Sequence, residues 1–256
     1  MKKKELPLFT IFMSVLISIQ GCEQYEPNAP EIEYDEVTIN EPTNDYIVFA
    51  EIRRSGSSGH TSVVVENNGP VTNAEVKING LLLPGQNSNS YFDNIGVIGY
   101  GLTNTYELTV EVEGIEIARG TAVMPSQAPI TNIAEFDRHE TNQPLQVDWR
   151  KASNSTSIRI FIKRPDNSEE FVTEYLGIEP TTSTLDGSIF NLAGNYKFRT
   201  WTYHGYIPGL NEDPAKGYNI EGAAGSFIVI NSTPEVLMQV SSNGATLAQE
   251  SASEGN

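Results

Sequence analysis

The chain has 256 residues and a formal net charge of -17, from 16 Lys and Arg against 33 Asp and Glu. Nucleic acid is disfavoured as a partner, because a protein that neutralises phosphates needs clustered Lys and Arg, and beyond its first four residues this sequence has no such cluster. Direct binding to an anionic lipid surface is disfavoured for the same reason, and the acidity is typical of a surface that keeps a protein soluble.

The first residues have the layout of an export signal. Lys2, Lys3 and Lys4 precede an apolar run from Leu6 to Ile19. A basic head followed by a short apolar run is typical of a secretory signal peptide, and the run is too short for a stable membrane span. The sequence therefore predicts a signal peptide at residues 1–21, which is removed on export.

The end of this run resembles the lipobox of bacterial lipoproteins. Ile19 stands three places before Cys22, and Gly21 stands directly before it. The resemblance implies that Cys22 becomes the mature N-terminus and carries a lipid anchor, and two or more acyl chains hold a protein stably on a bilayer. Glu23 rather than Asp follows the cysteine, which favours the outer membrane. The alternative is an ordinary signal peptide followed by an unmodified cysteine.

Residues 22–44 are predicted to be a flexible tether. They carry three prolines and many acidic residues and show no sustained apolar period. Cys22 is the only cysteine of the chain. An exported protein of this kind therefore has folded domains without disulfides, held together by apolar burial and sheet hydrogen bonds.

From residue 45 onward, apolar and polar residues alternate with a period of two, which is typical of half-buried strands. The turn sequences Asn79-Gly80 and Glu113-Gly114 separate neighbouring strands. The segment 55–60, with Gly56 and Gly59, reads as a loop. These features predict a β-sandwich over residues 45–125. Its strands are predicted near 46–50, 63–65, 74–78, 81–83, 106–112 and 115–123, the last two forming its terminal hairpin.

Pro125 and Pro129 interrupt the alternation and predict a domain boundary. A second sandwich is predicted over residues 127–232, and no helix of convincing length is predicted anywhere. Residues 233–256 are rich in Ser, Gly and Ala and are predicted to be a flexible C-terminal tail. The strands of the second sandwich are predicted near 130–136, 145–149, 157–163, 170–175, 196–202 and 225–230.

Two motifs of the second half resemble strands of fibronectin type III domains. The segment Leu145-Gln146-Val147-Asp148-Trp149 resembles a strand that ends in a core tryptophan. Asn195 to Thr200 resembles the strand whose tyrosine, here Tyr196, caps a nearby loop with its hydroxyl. Residues 104–108 echo that strand in a more general immunoglobulin-like module. Residues 205–222 depart from the pattern, because they are longer than a plain hairpin turn.

The resemblance implies an all-β fold with two tandem sandwiches of the immunoglobulin-like or fibronectin III-like type. Such modules behind a lipobox are similar to the surface lipoproteins of Bacteroidota. This resemblance implies an outer-membrane or cell-surface location and other envelope proteins as partners.

No motif points to catalysis, a metal or a cofactor. His60, His139 and His204 are far apart in the sequence, and none has the spacing of a metal site or stands beside a nucleophile. The acidic segments at 166–170 and 211–213 do not follow a calcium-loop pattern and read as solvated turns. We therefore expect a protein that is not an enzyme, and a hydrolase with an unrecognised site is the least favoured alternative.

The aromatic residues of the second sandwich are the best candidate binding residues. If Tyr196 points inward, alternation sends Trp201 and Tyr203 to the outer face of the sheet. Tyr206 and Tyr218 follow in the insertion and can approach them. Exposed Trp and Tyr are typical of protein-binding or sugar-stacking surfaces.

These residues leave two interpretations open. In the favoured one, the protein is a non-catalytic binding or scaffold protein of the envelope, and the aromatic side chains are covered by the insertion or by the first sandwich. In the alternative, it is a carbohydrate-binding accessory lipoprotein. The stacking platform of that alternative would consist of Trp201, Tyr203, Tyr206 and Tyr218.

Overall fold

The computed structural model describes residues 38–85, 89–93, 96–102, 104–173, 176–177, 179–205 and 215–242. These residues form an all-β fold, as the period-two alternation predicts, with one short 3-10 turn at Gly187–Phe190. No helix within these ranges is long and apolar enough to cross a membrane. The predicted signal peptide and Cys22 lie outside the described residues.

Strands before residue 125 form the first half of the described fold. In chain order they are β1 (Ile39–Asn40), β2 (Ile47–Ser55), β3 (Ser58–Glu66), β4 (Ala74–Ile78), β5 (Leu81–Leu83), β6 (Ser90–Phe92), β7 (Thr105–Val112) and β8 (Ile115–Val123).

Strands after residue 125 form the second half. They are β9 (Asp137–Glu140), β10 (Leu145–Asp148), β11 (Ser157–Lys163), β12 (Glu169–Phe171), β13 (Thr182–Leu185), β14 (Gly194–His204), β15 (Gly217–Tyr218), β16 (Ile220–Glu221), β17 (Ala224–Ser232) and β18 (Val236–Ser241).

A large sheet runs through both halves, and two smaller sheets pack against it. The main path of the large sheet is β12-β11-β14-β17-β2-β3-β6, and a second sheet has the order β16-β8-β7-β4-β5. Strands β10 and β13 form the third sheet. The fold is therefore two sandwiches that share one long sheet.

Each sandwich has its own core, built from the inward-facing residues of alternating strands. In the first core, Val48, Val76 and Tyr106 are fully buried, and in the second core Trp149 and Phe198 are at most 3 % exposed. The prediction that Trp149 is a core residue is therefore confirmed. The carboxylate-bearing residues Glu75, Glu107 and Glu111 alternate with the first core's residues and lie on the wet side of their strands.

Strand β17 belongs to both sandwiches. It pairs in parallel with β2 over its whole length, from Ala224 opposite Ile47 to Ser232 opposite Ser55. Its last four residues also pair antiparallel with β14. Phe227 is fully buried in the first core, so the strand supplies apolar side chains to the N-terminal sandwich.

The insertion that departs from the fibronectin pattern also completes the first sandwich. Strand β16 pairs antiparallel with β8, with Ile220 opposite Gly120, and Ile220 and Ala223 are fully buried in the first core. The hairpin of β7 and β8 is therefore not terminal, because β16 continues its sheet. The sequence predicts that residues 217–232 belong to the second sandwich alone. In the structure, Ile220 and Phe227 of this segment lie in the first core, so this prediction is wrong.

The chain around residues 38–44, which the sequence assigns to the flexible tether, is docked on this insertion and on β8. Asn219 donates its backbone N–H to the carbonyl of Thr38 at 2.7 Å, and the Asn44 side chain donates to the carbonyl of Ile117 at 2.8 Å. The tether prediction is thus wrong for these residues. The remainder of the predicted tether lies outside the described residues.

Three further sequence expectations differ from the structure. Residues 130–136 do not form a strand: Ile130 makes a single bridge to Trp149, and the segment ends at Phe136 with a φ of +65°, outside the extended region. Strand β3 begins at Ser58, directly after a tight turn at Gly56, so the loop predicted at residues 55–60 is reduced to that turn. The predicted tail contains strand β18, which pairs with β14 because Met238 and Val240 are buried in the second core.

Tyrosines in corresponding positions cap a loop in each sandwich. The Tyr196 hydroxyl donates to the carbonyl of Ile189 at 3.2 Å and accepts from the N–H of Leu192 at 3.3 Å. The Tyr106 hydroxyl donates to the carbonyl of Gly99 at 3.0 Å, and burial raises the pKa of Tyr106 to about 12. The tyrosine corner that the sequence predicts at Tyr196 is confirmed.

Replacing Tyr196 with Phe should lower the free energy of unfolding by about 1–2 kcal/mol, because the carbonyl of Ile189 and the N–H of Leu192 lose their partner. Urea denaturation followed by circular dichroism measures this change. Tyr46→Phe is the matched control, since no hydrogen bond of the Tyr46 hydroxyl is present in the described structure, and it should stay within about 0.5 kcal/mol. Equal stability of the two variants would show that the corner contributes nothing.

Candidate interaction surface

The side of the large sheet that faces away from both cores is called here the outer face. Alternation on β11 and β14 turns Ile160 and Phe198 toward the second core, so Phe161, Trp201 and Tyr203 lie on the outer face. There they form a third apolar cluster with Ile228 and Ile230 of β17. The direction that the sequence predicts for Trp201 and Tyr203 is therefore observed.

The aromatic residues do not form an exposed platform. Trp201 is 9 % exposed, Tyr203 4 % and Tyr218 3 %. Tyr218 lies opposite Ser226, whereas Tyr203 lies opposite Ile230, which is four residues further along β17. Tyr206 is outside the described residues. A sugar ring needs an open aromatic face to stack on, so the predicted stacking site is wrong for the three described residues.

Arginine side chains cover the aromatic layer of the outer face. The guanidinium carbon of Arg53 lies 4.7 Å from the centre of the Trp201 ring, and that of Arg199 lies 5.5 Å from it and 4.3 Å from the Phe161 ring. The guanidinium carbon of Arg159 lies 3.9 Å from the centre of the Phe171 ring. Each such contact contributes about 0.5–2 kcal/mol, depending on how dry it is. We call these six side chains the arginine–aromatic ladder.

The ladder contains buried N–H groups without a hydrogen-bond acceptor. Within the described part of the chain, the Nε atoms of Arg53 and Arg199 and the Nε1 atom of Trp201 have no such partner. Buried donors without an acceptor are costly unless another interaction compensates. The contacts of the Arg53 and Arg199 guanidiniums with the Trp201 ring offset part of this cost.

Two lysines extend the positive charge of the ladder toward the β11–β12 turn. Lys163 pairs with Glu169 at 2.9 Å, and Lys197 pairs with Glu235 at 3.0 Å. The hydrogen bond from Lys163, with the nearby charges of Arg199 and Lys197, lowers the pKa of Glu169 below its ordinary value. The cations on this part of the outer face (Arg53, Arg159, Arg199, Lys163 and Lys197) outnumber the glutamates that pair with them there (Glu51, Glu169 and Glu235), so it is locally positive in a chain whose net charge is -17.

A polar cleft adjoins these lysines. It has a volume of about 280 Å³ and is lined by Lys163, Arg164, Lys197, Asn167, Asn195 and Pro165. Its polar side chains are cations or amides, which donate hydrogen bonds. We call this the basic cleft. A second cleft of about 280 Å³ lies between β7, β8 and β16, where Arg119 pairs with Glu221 at 2.6 Å.

The histidines do not converge on a site. His60 lies on β3, the Nε2 atom of His139 is 2.9 Å from the carbonyl oxygen of Gln143, and the Nδ1 atom of His204 is 3.0 Å from that of Asn154. No group of three metal-ligating side chains occurs among the residues that the structure describes. The histidines therefore have separate local environments.

The acidic turn at 166–170 is occupied by local contacts. Asp166 accepts hydrogen bonds from the backbone N–H of Ser168 at 2.9 Å and from its hydroxyl at 2.5 Å. Glu169 is paired with a lysine, as described above, and Glu170 with Arg164. These contacts fit the predicted solvated turn. The segment 211–213 lies outside the described residues.

Sequence reasoning identified the aromatic residues of this surface and missed its arginines. The signal was available, because Arg159 and Lys163 alternate with buried isoleucines on β11, and Lys197 and Arg199 alternate with Tyr196 and other core residues on β14. Arg53 could not be added from the sequence, since its place beside Trp201 depends on the parallel pairing of β2 with β17.

No protein-family model and no curated protein matches this chain. Solved structures with fibronectin III modules are similar to it. The fibronectin(III)-like modules of Clostridium thermocellum CbhA have 12 % identity and a TM-score of 0.27, covering 80 % of this chain and 92 % of that one.

Two further structures give similar values. A two-domain fibronectin type III segment of chicken tenascin has 12 % identity and a TM-score of 0.25, covering 73 % of this chain and 94 % of that one. The FN1–FN3 domains of chicken CNTN1 have 9 % identity and a TM-score of 0.27, covering 75 % and 69 %. The assignment of two sandwiches therefore rests on the strands and cores of the chain itself.

Proposed function

We propose that this protein is a non-catalytic binding or scaffold protein of the bacterial envelope, anchored through lipid on Cys22 at the outer membrane or cell surface. The lipobox resemblance at residues 19–22 supports the anchor. The observation that carries the binding role is the shared strand β17, which joins two sandwiches into one sheet with a continuous outer face.

The arrangement of β17 supports a role as a braced scaffold. Two sandwiches connected by a linker move independently by default, because interfaces between domains are small. Here β17 is hydrogen-bonded to β2 of one sandwich and to β14 of the other. A partner that contacts the outer face on both sides of β17 therefore meets groups whose spacing is fixed by backbone hydrogen bonds.

The character of the outer face supports binding to a protein. Arginine and aromatic residues are enriched at protein–protein interfaces, and they contribute most of the binding energy there. Arg53, Arg199 and Trp201 are such residues, in contact at the centre of the sheet. Other envelope proteins are the partners proposed for this surface.

Changing Cys22 to Ser should move the protein from the membrane fraction to the soluble fraction, because the side chain can no longer be acylated. Incorporation of a fatty-acid analogue should be lost at the same time. Membrane association is measured by fractionation of cells expressing the full chain, and acylation is measured by the label that the purified protein carries. Glu23→Gln is the matched control, since it changes the neighbouring residue and leaves the cysteine. Equal membrane association and labelling of the Cys22→Ser variant would contradict the proposed anchor.

A further inference from the structure

We infer that the outer face binds an extended acidic polypeptide segment, along a strip that runs from the basic cleft over Arg199 to Arg53. This inference deepens the proposed binding function by naming the chemistry of the partner. The sequence shows no run of basic residues in this part of the chain. Folding creates the positive strip by bringing β2, β11 and β14 together in one sheet.

The register of the strands places the cations of the strip side by side. Arg199 on β14 is opposite Phe161 on β11, and Lys197 is opposite Lys163. Opposite residues lie about 5 Å apart, and successive residues on the same face of a strand about 7 Å apart. Arg199 therefore has both lysines as close neighbours, and the basic cleft begins directly beside it.

Arg199 is the group of the strip that is best prepared to receive a carboxylate. Within the described residues it has no ion-pair partner, whereas Arg53 pairs with Glu51 at 2.9 Å. Its guanidinium carbon lies 4.3 Å from the centre of the Phe161 ring and 5.5 Å from that of the Trp201 ring. A stacked guanidinium keeps its terminal N–H groups available for bidentate bonds to a carboxylate.

The ion pairs that neutralise the lysines are exchangeable. The side chains of Lys163 and Lys197 are 31 % and 43 % exposed, and those of Glu169 and Glu235 are 47 % and 36 % exposed. Exposed ion pairs contribute little stability and are screened by salt. A carboxylate of a ligand can therefore replace Glu169 or Glu235 at little cost.

The geometry favours an extended peptide over an acidic polysaccharide. A peptide in the β-conformation presents every second side chain on one face, about 7 Å apart, which matches the spacing of Lys197 and Arg199 along β14. Polysaccharide binding uses open aromatic faces, and Trp201 is covered by arginines and only 9 % exposed. The cations of the strip are therefore matched to alternating carboxylates.

The test uses the chain from residue 22 to 256 and a fluorescent peptide of six Glu-Thr repeats, with binding followed by fluorescence anisotropy at about 50 mM salt. We expect saturable binding that Arg199→Glu weakens at least tenfold and Arg199→Gln weakens less. Arg150→Glu is the matched control, because Arg150 is exposed, makes no ion pair within the described residues and carries the same charge change. It should weaken binding less than twofold.

Three results would overturn the inference. They are the absence of binding to the peptide, equal weakening by Arg199→Glu and Arg150→Glu, and tighter binding of polygalacturonate than of the peptide. The last result would assign the strip to an acidic polysaccharide instead. Circular dichroism of each variant establishes that it is folded before it is compared. Membrane fractionation of Cys22→Ser is independent of all these outcomes, so the anchor and the ligand succeed or fail separately.

Discussion

A fragment of residues 38–125 should be unfolded, whereas residues 38–242 should unfold cooperatively. The shorter fragment contains the whole predicted first sandwich but lacks Ile220, Phe227 and Val229, which are fully buried in its core. Each large apolar side chain that is fully buried contributes about 1.5–3 kcal/mol. The loss therefore approaches the whole stability of a small domain, about 5–15 kcal/mol. Circular dichroism and amide proton spectra measure the outcome.

The unpaired edge of β2 adds to this loss. In the fragment, none of the nine residues of β2 has a partner in place of β17. Joining residues 215–232 to the fragment through a flexible Gly and Ser linker should restore a dispersed amide spectrum, which distinguishes loss of these strands from a general effect of truncation. A well-dispersed spectrum and cooperative melting of residues 38–125 alone would contradict the dependence on β17.

Local signals in the sequence predicted most strands and hairpins. The turn Asn79-Gly80 has φ values of +51° and +74°, and Glu113-Gly114 has +53° and +77°. Asn79 and the two glycines adopt these values readily, Glu113 adopts its value because the following Gly114 completes the same turn, and turns of this kind match the twist of the flanking strands. The predicted strand at 157–163 matches β11 residue for residue. Where a turn and an alternating pattern coincide, the sequence alone was sufficient.

The partners of the strands could not be predicted in the same way. The pattern of β17 shows that Phe227 and Val229 share one face, but it does not show which core they enter. Its parallel pairing with β2 joins residues separated by more than half the length of the chain. Such a pairing depends on long-range packing, which the local pattern does not encode.

In the candidate surface too, a local pattern predicted one feature, and long-range contacts determined another. Alternation places Trp201 and Tyr203 on the outer face, and the structure has them there. Their burial was not predictable, because Trp201 is covered by Arg53 of the first sandwich as well as by Arg199 of its own strand. The sequence therefore indicated which aromatic side chains lie on the outer face and did not indicate that arginines cover them.

Replacing Gly225 with Ala should separate β17 from β2 and lower the free energy of unfolding by about 3 kcal/mol or more. Gly225 has a φ of +104°, and an added Cβ would lie 2.1 Å from the carbonyl oxygen of Val48. Both the backbone strain and the steric overlap oppose the native pairing, and each contributes about 1–3 kcal/mol. Urea denaturation measures the loss, and hydrogen exchange of the β2 amides locates it.

Gly114→Ala separates the two causes. Gly114 has a φ of +77°, and its added Cβ would have no atom within 4 Å, so this variant has backbone strain without overlap and should lose about 1–2 kcal/mol. Equal losses for the two variants, with unchanged exchange in β2, would mean that close approach of β17 to β2 is not needed. Faster exchange in β2 only for Gly225→Ala would show that the close approach of β17 to β2 joins the two sandwiches, on which the continuous outer face depends.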